Sequence, residues 1–452
     1  MQNRRSRPLI VLAAIVAAFV MPGTAQADVV TDWFQTGRGA ILASTPPPAP
    51  NAAMLSFAVL SGAMYDAANA VDGGHEPYLL ENDPASPLDS MNAAVATAAW
   101  RVLNSIAPWS GATVNAKYAT DIGLIPPGAA KTNGIAAGNA AADAMLTARA
   151  NDGRERVGQP FPFVDPFVVG TLTGQWRVSP NSAGTPAADP SWWVALVKPF
   201  VVRNMQMLIT DGPPALTSDQ YTKDFNEVKS LGAFSNSTRT EYETVGAMFW
   251  NVQPIVLWSD IALDLSTRYG LSPAENARLL ALVGLSTADA AIGAWINKYH
   301  WRFWRPIEAI RNAGSDGNPD TVANPSWWPL FDQELLRALP GKPYSDLATA
   351  GLITPPYPDV PSGHNSLGSA AMNAMRDFFG TDKPKGGVVA KSSRFPGTER
   401  RFERFTDVID EIVSSRIWAG IHFRTADEQA AWLGKKVANW TSSHELKPVH
   451  GH

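Results

Sequence analysis

The chain has 452 residues, of which 45% are hydrophobic and 17% are charged, so it is long enough to bury a large core. Its formal net charge of −4 argues against a nucleic-acid partner, which would favour a strongly basic face. It contains no cysteine, which excludes disulfides, thiol nucleophiles and cysteine-ligated metals. Three of its seven histidines lie in a polar tail, residues 443–452. Histidine chemistry must therefore come from the other four: His75, His300, His364 and His422.

Residues 1–27 have the pattern of a secretion signal. Three arginines form a basic start, an apolar run from Leu9 to Met21 follows, and Ala25-Gln26-Ala27 is typical of a cleavage site. The apolar run is too short to span a bilayer, and we expect no later stretch with the length and apolarity of a membrane helix. The sequence therefore predicts export to the periplasm or beyond, a mature chain from about Asp28, and no membrane span.

Most of the remaining pattern is helical, and no β-type alternation of useful length is present. We therefore predict a mainly α fold. The predicted helices, in chain order, are residues 52–71, 90–106, 134–150, 218–232, a helix from Thr238 or Thr240 through Trp250, 259–269, 273–283 and a short helix over 331–338.

The segment from about residue 153 to 214 is rich in proline, glycine and tryptophan, which predicts a long irregular segment. Segments of this length without regular structure are often functional. It either covers a site or wraps the helical bundle, with its aromatic side chains holding it in place.

A helix is predicted from about Ser362 to a C-terminal cap at Gly380, after a proline-rich stretch over 355–358. Its first free N–H groups belong to Ser362, Gly363 and His364. A helix N-terminus binds anions, and a glycine there lets an anion approach the backbone closely. The alternative is an ordinary serine cap with an incidental histidine.

A second helix is predicted to begin at Ser286 or Thr287 and to end at Pro306. Lys298 and Arg305 are seven residues apart, which would place both cations on one helical face, two turns apart. The helix is apolar on nearly every side, which indicates burial, and buried cations need an anion. The alternative is a solvated basic stripe.

A third helix is predicted from about Asp407 to Ala419, with Arg416 near its end. The pattern from Thr425 to Glu428 predicts a capping box for the following helix. His422 lies in the break between the two helices, where a histidine can face a ligand. The alternative is a satisfied histidine in the core.

These three stretches, in this order and at these spacings, resemble the signature that vanadium-dependent haloperoxidases share with type 2 phosphatidic acid phosphatases. Segments such as GQWRVSP, KYHWRFWRPIEAIR, PPYPDVPSGH and SRIWAGIHFR resemble the secreted bacterial haloperoxidase-like branch, over roughly residues 30–440. The motifs are Lys298-(six residues)-Arg305-Pro306, Pro361-Ser362-Gly363-His364 and Ser415-Arg416-(five residues)-His422.

The resemblance implies a helical bundle of the acid phosphatase/vanadium haloperoxidase type. A domain over 286–442 would carry the oxyanion site, and an N-terminal helical region with the tryptophan- and proline-rich wrap would cover 28–285. The sequence departs from the family at two positions. Ala426 stands where an acid commonly follows the last histidine by four residues, which leaves the role of Asp427 open. Tyr357 stands where bromoperoxidases have a histidine, which leaves the halide preference open.

The implied activity is the oxidation of halide by hydrogen peroxide, with vanadate as cofactor, to hypohalous acid or an equivalent; an oligomer is possible. His422 would bond vanadium through Nε2, His364 would be the acid/base, and Lys298 would polarise peroxide. The implied ligands of the vanadate oxygens are Lys298, Arg305, Ser362, the Gly363 N–H and Arg416.

The same atoms would serve a secreted acid phosphatase acting on a phosphate ester. In that reading His422 is the nucleophile of a phosphohistidine intermediate, and His364 protonates the leaving alcohol. A third reading is a non-catalytic phosphate-binding protein. The acid that holds the arginines would be one of Asp359, Glu308 and Glu411.

Overall fold

The computed structural model describes residues 28–81, 85–338 and 351–449, so the predicted signal peptide and the last residues of the tail lie outside it. The predicted mainly α class is confirmed, since the described residues form 14 α-helices and one two-stranded sheet. The helices are α1 (Val29–Leu42), α2 (Pro50–Asp72), α3 (Met91–Ile106), α4 (Gly111–Leu124), α5 (Ala129–Ala148), α6 (Asp219–Leu231), α7 (Glu241–Phe249), α8 (Pro254–Tyr269), α9 (Pro273–Trp301), α10 (Pro306–Asn312), α11 (Gln333–Arg337), α12 (Gly363–Phe379), α13 (Phe405–Trp418) and α14 (Arg424–His444).

The sheet was not expected from the sequence. Strand β1 (Val388–Lys391) pairs antiparallel with β2 (Glu399–Phe402), and Val388 and Ala390 are buried. Each strand has only four residues, which is too short for alternation to stand out from a basic loop.

Helix α9 is the longest described helix, with 29 residues, and the predicted break near residue 285 is wrong. Ser272 is its N-cap, in a capping box with Glu275. The hydroxyl of Thr287 does not cap a helix but donates to the carbonyl of Val283, 2.7 Å away within the same helix. The predicted domain boundary after residue 285 therefore lies inside α9.

Helix α9 joins the two halves of the protein. It packs against α2 from the N-terminal part and against α12 and α14 from the C-terminal part. Contrary to the sequence prediction, it is long and apolar enough to cross a membrane, but 94% of its apolar window is buried inside the protein. Among the described helices no other meets that test.

The irregular segment over 153–214 lies along α9, with Trp176, Trp192 and Trp193 buried. Its buried Asp189 accepts hydrogen bonds from the indole of Trp295 (2.9 Å) and the hydroxyl of Tyr299 (2.6 Å), both on α9. These contacts correspond to the wrap expected as one of two alternatives.

Candidate active site

The C-terminal end of α9, the link to α10, the start of α12, and the end of α13 with the turn after it meet at one place. Each predicted site residue lies on one of these four elements, and the structure brings them together. They are Lys298 on α9, Arg305 in the link, Ser362, Gly363 and His364 at the start of α12, and Arg416 and His422 at and after the end of α13.

Lys298 and Arg305 do not share a helical face, contrary to the prediction. Helix α9 ends at Trp301, because Arg302 adopts a left-handed backbone conformation with φ of 49°. Arg305 is the N-cap of α10. The backbone of 302–304 bonds instead to the wrap, through Trp176 N–H to the carbonyl of Arg302 and Trp304 N–H to that of Gly174. This chain reversal aims the Arg305 side chain back towards Lys298.

Lys298 is fully buried and holds the loop before α12. Its ammonium donates to the carbonyls of Pro358 (2.8 Å), Asp359 (3.1 Å) and Pro361 (2.6 Å). These contacts use all three of its donors. Burial, and then the neighbouring Arg305, lower the pKa of Lys298 well below its ordinary value.

Arg305 is fully buried and reaches both the proline-rich stretch and the turn after α13. Its Nε donates to the carbonyl of Tyr357 (2.8 Å), and its Nη1 to that of Ile421 (2.7 Å). Nη1 also lies 3.1 Å from Nε2 and 3.4 Å from Nδ1 of His422.

His422 is 2% exposed and sits among cations. Burial, followed by the charges of Arg305, Lys298 and Arg416, lowers its pKa well below the ordinary value. The imidazole is therefore neutral at pH 7 and keeps one nitrogen lone pair, which a metal or an electrophilic phosphorus requires.

The predicted helix from Ser362 to Gly380 is confirmed, with Ser362 as the N-cap of α12 and Gly380 as its left-handed C-cap. A Cβ at position 363 would lie only 2.8 Å from the ring of Trp295. Only glycine fits there without a shift, and it leaves the first N–H groups of the helix accessible to an anion.

Three nitrogen atoms around the site are buried without a hydrogen-bond partner among the described residues: Nη2 of Arg305, Nε of Arg416 and Nε2 of His364. The other ring nitrogen of His364 makes a hydrogen bond with the backbone of Trp250. Burial, followed by the charge of Arg416, lowers the pKa of His364 well below its ordinary value. Buried polar groups are seldom left unbonded. Two guanidinium groups, an imidazole and a helix N-terminus together fit a tetrahedral oxyanion such as vanadate or phosphate.

A cavity of about 380 Å³ opens above these groups. Asn251, whose side chain accepts from Nη1 of Arg416 (3.4 Å), lies on its wall. The floor is polar, and apolar residues form much of the wall. The cavity is lined by Pro50, Asn51, Asn251, Val252, Gln253, Pro254, Trp295, Gly351, Ile353, Pro355, Pro356, Tyr357, Gly363, His364, Leu367, Arg394, Arg416 and His422. Among these lining residues, none comes from the wrap, and neither His75 nor His300 is present.

Of the three candidate acids, Asp359 is the one that reaches the site. Its Oδ1 lies 2.8 Å from Nδ1 of His422 and 3.6 Å from Nη1 of Arg305. Glu308 instead accepts from Ser179, and Glu411 pairs with Arg400.

Asp427, whose role the sequence left open, is fully buried behind the start of α12. It accepts a hydrogen bond from the amide of Asn365 (3.1 Å), and burial raises its pKa to about 7. The predicted capping box at Thr425 is wrong: α14 begins at Arg424, and the Thr425 N–H donates to Asp224 of α6 (3.0 Å).

Aromatic side chains pack against the two buried cations, a role that the sequence analysis did not predict. The Tyr357 ring lies 5.0 Å from Nζ of Lys298 and 5.1 Å from the guanidinium carbon of Arg305. Trp295 packs against Tyr357 and is held by Asp189. The proline-rich stretch that contains Tyr357 was a local signal, whereas nothing local marks Asp189.

Comparisons with known proteins agree with this geometry. Residues 278–451 match the family model of the VCPO second helical-bundle domain. This part of the chain is thus similar to a helical-bundle domain of vanadium haloperoxidases. The resemblance inferred from the three motifs is thereby confirmed.

A curated relative of the chain is the vanadium chloroperoxidase of Curvularia inaequalis. It is 26% identical over an alignment of 191 residues, which covers 37% of this chain and 29% of that enzyme. The chain thus matches less than a third of the length of this relative.

Two solved structures extend the likeness of fold over most of the chain. One is described as the first bacterial vanadium-dependent iodoperoxidase, with a TM-score of 0.72, 19% identity, and coverage of 93% of this chain and 97% of that one. The other is a holo-type bacterial vanadium-dependent chloroperoxidase, with a TM-score of 0.61, 18% identity, and coverage of 87% and 92%. The N-terminal helices therefore belong to the same haloperoxidase fold.

Proposed function

We propose that the protein is a vanadate-dependent haloperoxidase, which oxidises halide with hydrogen peroxide to hypohalous acid or an equivalent. The observation that carries the proposal is the set of three unbonded buried nitrogens around His422, on Arg305, Arg416 and His364. They lie within residues 278–451, the part that matches the VCPO domain. The names of the curated relative and of the structural neighbours support haloperoxidase chemistry over ester hydrolysis.

In this proposal two kinds of residue hold vanadate: one binds the metal and the others bind its oxygens. His422 supplies the nitrogen ligand through Nε2, while Arg305, Arg416, Ser362 and the Gly363 N–H bind and neutralise the oxygens. When bound, vanadate acts as a Lewis acid that activates hydrogen peroxide towards halide. Nη2 of Arg305 and Nε of Arg416 gain the partners that they lack within the described residues.

His364 handles protons in this proposal. Its lowered pKa keeps the imidazole neutral at pH 7, so Nε2 can accept a proton from entering hydrogen peroxide. The backbone of Trp250 holds the other ring nitrogen, which directs Nε2 away from that contact. Burial of Nε2 restricts competing exchange with bulk water.

Lys298 is less free to bind an oxyanion than the two arginines are. Its three donors hold the carbonyls of Pro358, Asp359 and Pro361, so a contact with an oxyanion requires that one carbonyl be exchanged. We retain the polarisation of peroxide by Lys298 as part of the proposal. Its structural contribution is to fix the loop that leads into Ser362.

A split assay on the purified mature chain tests the activity. One portion receives orthovanadate, hydrogen peroxide, a halide and a halogen-accepting dye, and the other receives p-nitrophenyl phosphate without vanadate. We expect halogenation that depends on vanadate, with little phosphate release, and the same assay then ranks chloride, bromide and iodide. Phosphate release that vanadate inhibits, without halogenation, would instead identify a phosphatase with His422 as nucleophile.

We also propose that the protein is exported and spans no membrane, on the pattern of residues 1–27 and the burial of α9. Fractionation of the producing cells, with N-terminal sequencing of the mature chain, tests both points. A mature protein that starts near Asp28 in the periplasm or medium is expected. An uncleaved chain in the cytoplasm would contradict export.

A further inference from the structure

The ring of His422 needs a hydrogen-bond partner that fixes its orientation. A metal-ligating histidine usually donates its second ring N–H to a carboxylate, a carbonyl or water. The family places an acid four residues after this histidine, but Ala426 stands there, without a side-chain oxygen. The next residue, Asp427, accepts from Asn365 instead. Another group must therefore orient the ring.

Asp359 is the acid that lies against the ring. It is fully buried, and its Oδ1 is 2.8 Å from Nδ1 of His422. The backbone N–H of Phe423 is close enough to favour its ionised form, but among the described residues neither carboxylate oxygen has a hydrogen bond of regular geometry. The contact is thus within bonding distance but not aligned, and a small rotation of either side chain would complete it.

The contacts of the two ring nitrogens favour a hydrogen on Nδ1. Nη1 of Arg305 lies near both nitrogens, 3.1 Å from Nε2 and 3.4 Å from Nδ1 of His422, so this contact does not select a tautomer. The Oδ1 atom of Asp359 lies 2.8 Å from Nδ1, and a carboxylate can only accept. The hydrogen that this contact requires is therefore on Nδ1, which leaves Nε2 unprotonated.

The backbone of Asp359 is fixed on both sides, so its carboxylate cannot move far. Its N–H donates to the carbonyl of Phe303 (3.0 Å), and its carbonyl accepts from Lys298 (3.1 Å). The two neighbouring carbonyls that Lys298 also binds, those of Pro358 and Pro361, hold the rest of the loop. The lysine thus indirectly places the acid beside the histidine.

We propose that Asp359 is the positioning residue of His422. From the loop before α12 it provides the carboxylate that lies beside Nδ1 of His422. It holds the hydrogen on Nδ1 and leaves the lone pair of Nε2 directed at the oxyanion site. The inference rests on the proposed function only in taking Nε2 of His422 as the reacting atom.

The tautomer can be read directly by ¹⁵N NMR of protein labelled at histidine, without added vanadate. The chain has only seven histidines, and the His422→Ala variant assigns the signal of interest. We expect a hydrogen on Nδ1 and an unprotonated Nε2 in the wild type. A wild-type ring with its hydrogen on Nε2 would overturn the proposal without any substitution at Asp359.

Variants at position 359 test the cause. Asp359→Ala and the similar-sized Asp359→Leu cannot accept from Nδ1, so we expect a mixture of tautomers in whichever variant folds. Asp359→Asn still offers a carbonyl oxygen and should keep the wild-type tautomer. An unchanged His422 signal in a folded Ala or Leu variant would overturn the proposal.

Binding of orthovanadate, measured by equilibrium dialysis, gives the second readout. We expect about 10- to 100-fold weaker binding for Asp359→Ala and a smaller loss for Asp359→Asn, as for other residues that orient metal ligands. The matched control is Asp289→Asn. Asp289 is also a fully buried carboxylate, but it lies on α9 away from the site, so the folded variant should bind vanadate normally. If Asp359→Ala bound as tightly as the wild type, the proposal would fail. A wild type that binds no vanadate would overturn the proposed function alone, since the NMR result is independent of it.

Discussion

Two groups of buried polar residues lie along α9, and they differ in how completely their hydrogen bonds are made. Towards the middle of the helix, Asp289 accepts from the N–H groups of Phe200 (2.6 Å), Val201 (2.8 Å) and Val202 (2.7 Å). At its C-terminal end, Arg305 and Arg416 each keep a buried nitrogen without a partner in the part of the chain that the structure describes.

The difference separates polar groups that stabilise the fold from those that await a ligand. A buried carboxylate with three N–H donors ties the wrap to α9 and is satisfied as it stands. An unbonded buried guanidinium nitrogen lowers the free energy of unfolding, and binding of an anion raises it again. We therefore expect substitutions in the first group to change stability and substitutions in the second to change binding.

The largest effect is expected for His422→Ala, which removes the nitrogen ligand. We predict that vanadate binding is abolished, as measured by the vanadium content of the dialysed protein. Wild-type stoichiometry in a folded variant would contradict the assignment. A circular dichroism spectrum like that of the wild type serves as the control for folding.

His364→Ala should keep vanadate but lose turnover, because a general acid/base contributes about 10²- to 10⁴-fold to a rate. Steady-state halogenation with vanadate at saturation measures the loss. Turnover within a few-fold of the wild type would remove His364 from proton transfer.

The motifs at His364 and His422 could be predicted from sequence because their signals are local. A serine cap, a glycine and a helical repeat marked α12, and the structure begins the helix at Gly363. The pairing of Asp359 with His422 joins residues 63 positions apart (422 − 359) and has no local pattern.

Two predictions were wrong because each local pattern is compatible with more than one structure. Ser286 and Thr287 resemble a helix cap, but inside α9 the Thr287 hydroxyl bonds back to the preceding turn. Seven-residue spacing suggested one face for Lys298 and Arg305, but the left-handed turn at Arg302 intervenes. At the turn, the wrap supplies contacts that no local pattern shows, since the Trp176 N–H donates to the carbonyl of Arg302.

Asp289→Ala should destabilise the protein by about 2–5 kcal/mol, because three buried N–H groups lose their acceptor. Urea unfolding measures the change, and vanadate affinity of the folded variant should stay at the wild-type value. A stability within about 0.5 kcal/mol of the wild type would show that the wrap does not depend on this residue.

Arg416→Met is expected to have the smallest effect on stability and a clear effect on binding. It removes a buried cation whose Nε has no partner among the described residues. The free energy of unfolding should therefore change by no more than about 1 kcal/mol, and an increase is also consistent with the account. Equilibrium dialysis should show weaker vanadate binding. A large loss of stability with unchanged binding would place Arg416 with Asp289, in the group that stabilises the fold.

The most direct test is a crystal structure of the protein soaked in orthovanadate, with the metal located by its anomalous scattering. The account predicts one vanadium at bonding distance from Nε2 of His422. Its oxygens should lie within hydrogen-bond distance of Arg305, Arg416 and the Gly363 N–H, while Asp359 stays beside Nδ1. Vanadium bound elsewhere, or an oxyanion that leaves the unbonded nitrogens of both arginines without partners, would contradict it.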